Sequence, residues 1–351
     1  MSAEVVALPQ IKRPDIKSTA PPPVYAELAV TSNFSFLRGS SSAKELVRRA
    51  AELGLAGIGI ADRNTVAGVV RVRTALKDLK EEELEEFGSV KTNLKIAVGS
   101  RLAFADGTPD ILVYPQNRAA WSQLTQLLTV GKSRAEKGDC ILFIEDLLEY
   151  AAGLNLIVMP PSRVEKDSLA ALFARLRQTV LPTSIWLAAG MLYRGDDARR
   201  IKRLTEIARD ALVPLIAVND VVCHTSERRA LQDVVTCIRE HLTLETAGRK
   251  LEANIERHLK SPSEMARIFR RLPDAIAETL VVPAPRDQVH LHEWKPVPSG
   301  HEPRPGRAVY PGIRSNRPAY RESATADLPP AISRSNLYPA TPATLGFHLE
   351  H

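Results

Sequence analysis

The sequence predicts an α/β fold: a closed or nearly closed barrel of about seven strands, followed by a short helical region and a disordered tail. Three observations predict it. From Tyr25 to about His224, short apolar runs of strand length alternate with amphipathic stretches of helical period. The runs are apolar throughout rather than alternating, as in parallel strands covered on both faces. After Asn219-Asp220, helical patterns follow one another with no strand between them, and then give way to a stretch rich in proline and arginine.

The elements fall in order. Residues 1–24 carry Pro9, Pro14 and the run Pro21 to Pro23, and read as an extended leader without a core of its own. The barrel, 25–224, opens with a strand at 26–30 and a Ser/Gly-rich loop. A helix follows over 43–53, with Ser41 or Ser42 as its N-cap. A strand at 55–61 and a helix at 65–87 come next. Strands 95–104 and 110–114 are joined by Ala105-Asp106-Gly107-Thr108-Pro109, whose Asp-Gly pair predicts a hairpin inside the series. A helix at 118–130, a strand at 154–159, a helix at 166–180 and a strand at 184–190 continue the alternation. A helix at 196–212, capped by Asp196 or Asp197, and a strand at 213–219 complete it.

The extension, 225–282, is expected to hold helices over 225–241, 246–257 and 263–280, interrupted at Ser261-Pro262 and Pro273. Twelve of the 25 prolines lie between Pro283 and Pro342. A segment so composed buries too little apolar surface to offset its ordering entropy, so 283–351 is expected to be disordered or out of frame. A basic, Pro-rich partner-binding tail is the functional alternative.

Composition narrows the function classes. The chain has 351 residues, 44% of them hydrophobic, enough for one large α/β domain or two ordinary ones. Cys140, Cys223 and Cys237 show no C-x-x-C spacing; their odd number suits reduced thiols and argues against zinc held by cysteine. No apolar stretch approaches the ~20 residues of a spanning helix, and the N-terminus lacks the pattern of a signal peptide. A cytoplasmic location and no membrane partner are expected. The net charge of +6 permits contact with nucleic acid. Helices 196–212 and 225–241 nevertheless interleave acids with bases, a pattern of solvated faces before it is one of a phosphate-binding stripe.

Known motifs are few. Gly57 and Gly59 form only G-x-G and read as strand packing, and neither a phosphate-binding P-loop nor a nucleophile elbow is present, so no small-molecule cofactor is expected. His224, His241 and His258 lie in helical sequence and read as surface or partly buried imidazoles. Trp121 and Trp186 read as core anchors.

In a barrel the chemistry gathers where strands end. Those ends offer Thr31, Ser32 and Asn33; Asp62, Arg63 and Asn64; Ser100 and Arg101; and Asn219, Asp220 and His224. All eight histidines lie at or after His224, which excludes a His-rich metal centre by counting. Asp62 and Asp220 could pair around Mg²⁺ if closure brings them together. Arg63 and Arg101 oppose that, because a guanidinium near a cation position costs several kcal/mol at an effective dielectric of about 20. The expectation is an ion-pair cluster of Asp62, Arg63, Arg101 and Asp220 in place of a metal.

The segments YAELAVTSNFSFLRGSSSAKELVRRAAELGLAGIGIADRNTVAGVVRV, KIAVGSRLAFADGTPDILVYPQNR, VPLIAVNDVVCHTSERRALQDVVTCIRE and LEANIERHLKSPSEMARIFRRLPDAIAETL resemble the N-terminal part of bacterial error-prone DNA polymerases. These are C-family relatives of the replicative polymerase α subunit that act in mutagenic, translesion repair. The resemblance covers about Tyr25 to Leu280. It implies a PHP (polymerase and histidinol phosphatase) domain, a distorted (β/α)7 barrel, and DNA and mutasome or replisome proteins as partners.

It also implies which ligands are replaced. Metal-binding PHP domains carry H-x-H where this chain has Ala29 and Thr31, Asp-His where it has Asp62-Arg63, a glutamate at Arg101, and Asp-x-His at Asp220-Val221-Val222. Only the two aspartates match, so PHP metals and phosphoesterase activity are not expected. Polymerases of this family place their Mg²⁺ and nucleotidyl transfer in a palm that follows; the resemblance here stops near Leu280 to Pro285, as a truncated or frame-shifted gene would produce. The expectation is a structural PHP portion with no catalytic residues. A stand-alone metal-dependent phosphoesterase and a non-catalytic DNA-binding module are the alternatives.

Overall fold

A computed structural model describes residues 23–282; most of the expected leader and all of the expected tail lie outside the described residues. Seven strands form one sheet in sequence order: β1 Ala26–Val30, β2 Gly57–Arg63, β3 Lys95–Leu102, β4 Ile111–Pro115, β5 Leu154–Val158, β6 Ile185–Ala189 and β7 Leu215–Ala217. Only the β3–β4 and β4–β5 pairs are antiparallel. The turn that makes β4 run backwards is the expected one: Asp106 accepts from Thr108 N at 2.9 Å, and Gly107 takes φ +81°, where glycine carries no Cβ penalty.

The sheet closes without a regular β7–β1 ladder. Just past β7, Val221 bridges Val30, with Thr31 N donating to Val221 O at 2.8 Å and Val221 N donating to Ala29 O at 2.7 Å. The barrel is thus nearly closed. Its outer layer comprises α1 Ala43–Glu52, α2 Val69–Phe87, α3 Arg118–Ser133, α4 Ile144–Tyr150, α5 Lys166–Leu176 and α6 Asp197–Asp210. Ser42 proves to be the α1 N-cap, in a capping box with Glu45. Asp196 holds the N-cap position of α6 without a side-chain bond, while Asp197 accepts from the backbone N–H groups of Leu192 and Arg194.

Inside the barrel, Leu28, Ala61, Leu112, Tyr114, Ile157, Trp186 and Ile216 form one apolar cluster. The Tyr114 ring lies so close to β2 and β3 that a Cβ on Gly59 would stand 2.7 Å from its hydroxyl, and one on Gly99 2.1 Å from Val113 O. These two positions accept no side chain. Trp186 is 2% exposed, whereas Trp121 is only half-buried.

The extension departs most from expectation. It contains α7 Arg229–Glu240, α8 Leu244–Ala247, α9 Pro262–Ile268 and α10 Pro273–Ala277. The helix expected over 246–257 does not form beyond α8. Its backbone is bonded to the barrel instead: Asn219 Nδ2 donates to Glu256 O at 2.7 Å and His258 O at 2.6 Å, and Val222 N donates to Arg257 O at 3.0 Å. Such tertiary bonds compete with the helical ladder for the same groups. The interruption expected at Pro273 is present: α9 ends at Ile268 and α10 begins at Pro273. The helix expected from residue 65 starts at Val69, and Thr65 N is bonded to Ser100 Oγ at 3.1 Å. Helix α4, which no expectation covered, is anchored by Asp146, which accepts from Phe143 N at 2.8 Å and from Arg134.

The last turns of the extension plug one end of the barrel. Thr279 Oγ1 accepts from Ala26 N at 3.2 Å, Glu278 accepts from Trp186 Nε1 at 2.7 Å, and Val282 joins the interior cluster. The other end, where the parallel strands finish, stays open.

Candidate functional site

At the open end lies a cavity of about 870 Å³. Its wall includes Thr31, Arg63, Arg101, Asp220 and Val222, five of the positions singled out from the strand ends. Ala29 and Asp62 are not in that wall; both are buried, 2% exposed each. A hollow of about 590 Å³ at the opposite ends of β1 to β3, beside Ala26, Ala56 and Lys95, is remote from all of these groups.

Asp220 sits in the left-handed region, φ +48°, which aspartate tolerates better than most residues. That turn aims its carboxylate between two guanidinium groups. Arg101 Nη1 donates to Oδ1 at 2.7 Å, and Arg257 Nη2 donates to Oδ2 at 2.7 Å. Burial pushes Asp220 up, but the charges of Arg101 and Arg257 outweigh it and hold the carboxyl at about 2. Arg101 Nε also donates to Asp110 at 2.8 Å, and Arg63 Nη1 reaches the same Asp110 oxygen at 3.4 Å. Arg257 is bonded in turn to Glu252. Burial pulls Arg101 down and its two aspartates pull it up further, so it stays charged.

Asp62 corrects the expectation of a four-membered ion-pair cluster, because it touches no guanidinium. Its oxygens accept from Ser32 N at 2.8 Å, Ser32 Oγ at 2.8 Å and Ser35 Oγ at 2.7 Å. The physical reason is strand alternation: Asp62 and Arg63 are successive residues of β2, so their side chains leave on opposite sides. Burial raises the Asp62 pKa, and the serine hydrogen bonds offset only part of that rise. Arg63 pairs with Asp110, not with either expected aspartate.

Asp110, Arg257 and Glu252 were missed from the sequence. Asp110 stands just before β4 after the Asp-Gly turn, so the reversal of that strand could have placed it on this rim. Arg257 and Glu252 carry no such signal. His224 is beside the loop, not in the cavity wall, its Nδ1 2.8 Å from Ser41 Oγ. A third buried carboxylate, Glu27, lies inside β1 and accepts from Tyr25 Oη at 2.6 Å, Ala29 N at 2.8 Å and Asn219 N at 2.9 Å. Burial pushes it up, and despite those donors it rests at about 7.

The donor set does not fit a divalent ion. Both oxygens of Asp220 are bonded to cations, both oxygens of Asp62 are bonded to serine donors, and guanidinium groups stand where further ligands would be needed. Among the described residues, no group of three or more His, Cys, Asp or Glu side chains is placed to hold a metal.

A seven-stranded, nearly closed barrel with an arginine-lined mouth is the class this geometry defines. Residues 27–189 match the model of the PHP domain. The chain is similar over its N-terminal part to proteins named error-prone DNA polymerase. That of Bradyrhizobium sp. (strain ORS 278) is 52% identical over 261 residues, covering 73% of this chain and 22% of the relative. That of Rhodopseudomonas palustris (strain BisB5) is 50% identical over 284 residues, covering 79% and 25%. The chain thus spans about a quarter of the length of these curated relatives. Among solved structures, an amidohydrolase from Chromobacterium violaceum matches at 12% identity and a TM-score of 0.42, covering 57% of this chain and 88% of that one. Among the described residues no helix is long and apolar enough to cross a membrane.

Proposed function

We propose that residues 25–224 are the PHP domain, and 225–282 the start of the region that follows it, of an error-prone, DNA-directed DNA polymerase of repair and translesion synthesis, working in the cytoplasm with DNA and mutasome or replisome proteins. The relatives named above support the polymerase setting. In this reading the barrel is a supporting body: it binds no PHP metal, hydrolyses no phosphoester and contributes no group to nucleotidyl transfer.

One observation carries the structural role. Asp220, the acid at the end of the barrel's last strand, has both oxygens engaged by Arg101 and Arg257. A permanent guanidinium on each oxygen of a carboxylate supplies the neutralising charge a metal would otherwise supply, without polarising a water. No hydroxide is generated at neutral pH, and the hydrolytic step has no nucleophile.

Metal content and turnover test this on the purified full chain. After equilibration with Mn²⁺ or Zn²⁺ and desalting, well under one ion per chain is expected by mass spectrometry, and p-nitrophenyl phosphate should be hydrolysed no faster than in buffer. One ion per chain together with turnover would favour the stand-alone phosphoesterase and overturn the proposal.

A further inference from the structure

We propose that the extension is a proton-linked latch on the barrel's seam: residues 256–282 stay docked while the Glu27 carboxyl carries its proton, and ionisation of that group favours their release. This goes beyond the supporting role above and does not depend on the polymerase setting.

The seam lies between β7 and β1, which share no regular ladder. Beyond the Val30–Val221 bridge, Glu27 links the two sides. Its Oε1 accepts from Ala29 N of β1 at 2.8 Å, and its Oε2 accepts from Asn219 N, just past β7, at 2.9 Å. Asn219 carries the link onward, because its Nδ2 donates to Glu256 O and His258 O, and Cys223 forms a further bridge with His258. The rest of the extension covers the same place. Helix α10 and the turn after it pack on β7, and Thr279 Oγ1 accepts from Ala26 N at 3.2 Å. Tyr25, whose hydroxyl donates to Glu27, shares one apolar cluster with Met265, Phe269 and Ile276. Glu27 thus sits where the barrel wall meets the extension, 1% exposed.

Its surroundings supply donors but no counter-charge. Among the described residues no cation is paired with it. Tyr25 on its own strand donates to it at 2.6 Å, whereas Tyr114, reaching across from β4, donates to Leu28 O. Asp220 after β7 adds a like charge. On the held segment, Lys260 is committed to Glu256 at 2.7 Å, and His258 Nδ1 lies 2.8 Å from Ile255 O. Helices α9 and α10 bury Met265, Phe269 and Ile276 and leave Arg267, Arg270 and Asp274 exposed, and Glu278 of the last turn accepts from Trp186.

Burial therefore decides which form the docked state prefers. A carboxyl shut away from water and from cations favours its neutral form, and this one rests at about 7 against an ordinary 4.5. The neutral form is accommodated, since Oε2 gives its hydrogen to Tyr25 Oη, a hydroxyl that accepts as well as donates. The anion gains water only when the seam opens, its proton passing to solvent. Docking is accordingly fully supported below pH 4.5 and weakened as the pH rises through 7, by about tenfold per unit within that window.

Hydrogen exchange of the full chain from pH 5 to 8, read by mass spectrometry and corrected for the intrinsic base-catalysed rate, tests the latch. Residues 219–223 and 256–282 are expected to exchange through a local opening, less protected than Leu154–Val158 at every pH. Their opening constant should climb about tenfold per pH unit between 5 and 6.5 and level off above 7, while that of α3, packed on α4 and β4, stays constant. Glu27→Gln should remove the climb. If that variant fails to fold, Tyr25→Phe takes one donor from the anion and should move the levelling-off to higher pH. Residues 256–282 as strongly protected as Leu154–Val158, an opening constant that does not change with pH, a climb that survives Glu27→Gln, or a levelling-off unmoved by Tyr25→Phe overturns the proposal.

Discussion

Arg257 and Asp220 meet at 2.7 Å across 36 intervening residues, joining the end of the barrel to a segment that was expected to be helical. The contact is largely desolvated, the two side chains being 16% and 19% exposed. Arg101 reaches the other oxygen of the same aspartate, so the pair is part of a chain running Asp110, Arg101, Asp220, Arg257, Glu252.

Truncating the shared member of that chain leaves two buried cations short of a partner. Asp220→Ala should therefore cost about 3 kcal/mol. Arg257→Met leaves Asp220 bonded to Arg101 and should cost clearly less. Urea unfolding of both variants checks the order; equal losses would mean that Asp220 is not the hub.

The two displaced carboxyls give opposite pH limbs. Asp220 is held at about 2, below its ordinary 3.8, so its contribution is complete above 3.8 and lost as the pH falls toward 2. Glu27 is raised from 4.5 to about 7, so its contribution is complete below 4.5 and is lost as the pH rises through 7. The urea midpoint of the wild type should accordingly decline between pH 4.5 and 7. Glu27→Gln should begin less stable, since its amide nitrogen accepts no hydrogen bond and its one oxygen cannot serve Ala29 N as well as Tyr25 Oη and Asn219 N, yet show a flatter profile across that window.

Asp62 organises the loop between β1 and α1. Asp62→Ala would strand the buried Ser32 N–H and both serine hydroxyls, at a cost of about 2 kcal/mol. Hydrogen exchange should quicken first across residues 31–41. Asp62→Asn, whose carbonyl can still accept from Ser32 N, should be the milder change.

Gly99 of β3 lies against Val113 and Tyr114 of β4 with no room for a side chain. Gly99→Ala would place a methyl group 2.1 Å from Val113 O and 2.7 Å from the Tyr114 ring, and separating the strands should cost about 3 kcal/mol. Gly190→Ala is the control, because the nearest atom is 3.6 Å away and the change should be close to neutral. Thermal melts of the two variants distinguish packing from a general intolerance of the sheet.

All seven strands could be read from the chain because their signal is local. Apolar runs such as Leu154 to Val158 must be covered on both faces, and Asp106-Gly107 turns the chain whatever surrounds it. The same local logic identified Asp62, Arg63, Arg101 and Asp220 as strand-end residues. It could not say which would touch.

The sequence by itself determined the order of the strands and the kinds of side chain at the barrel's mouth, because hydrophobic period and residue identity are properties of neighbouring positions. Tertiary structure alone decided the pairings. The pleat turned Asp62 away from every arginine, the reversed β4 brought in Asp110, and bonds from the Asn219 side-chain amide and the Val222 N–H unwound the expected helix and delivered Arg257. Charge pairing is set by distance in space, and distance between remote segments is not written in local pattern.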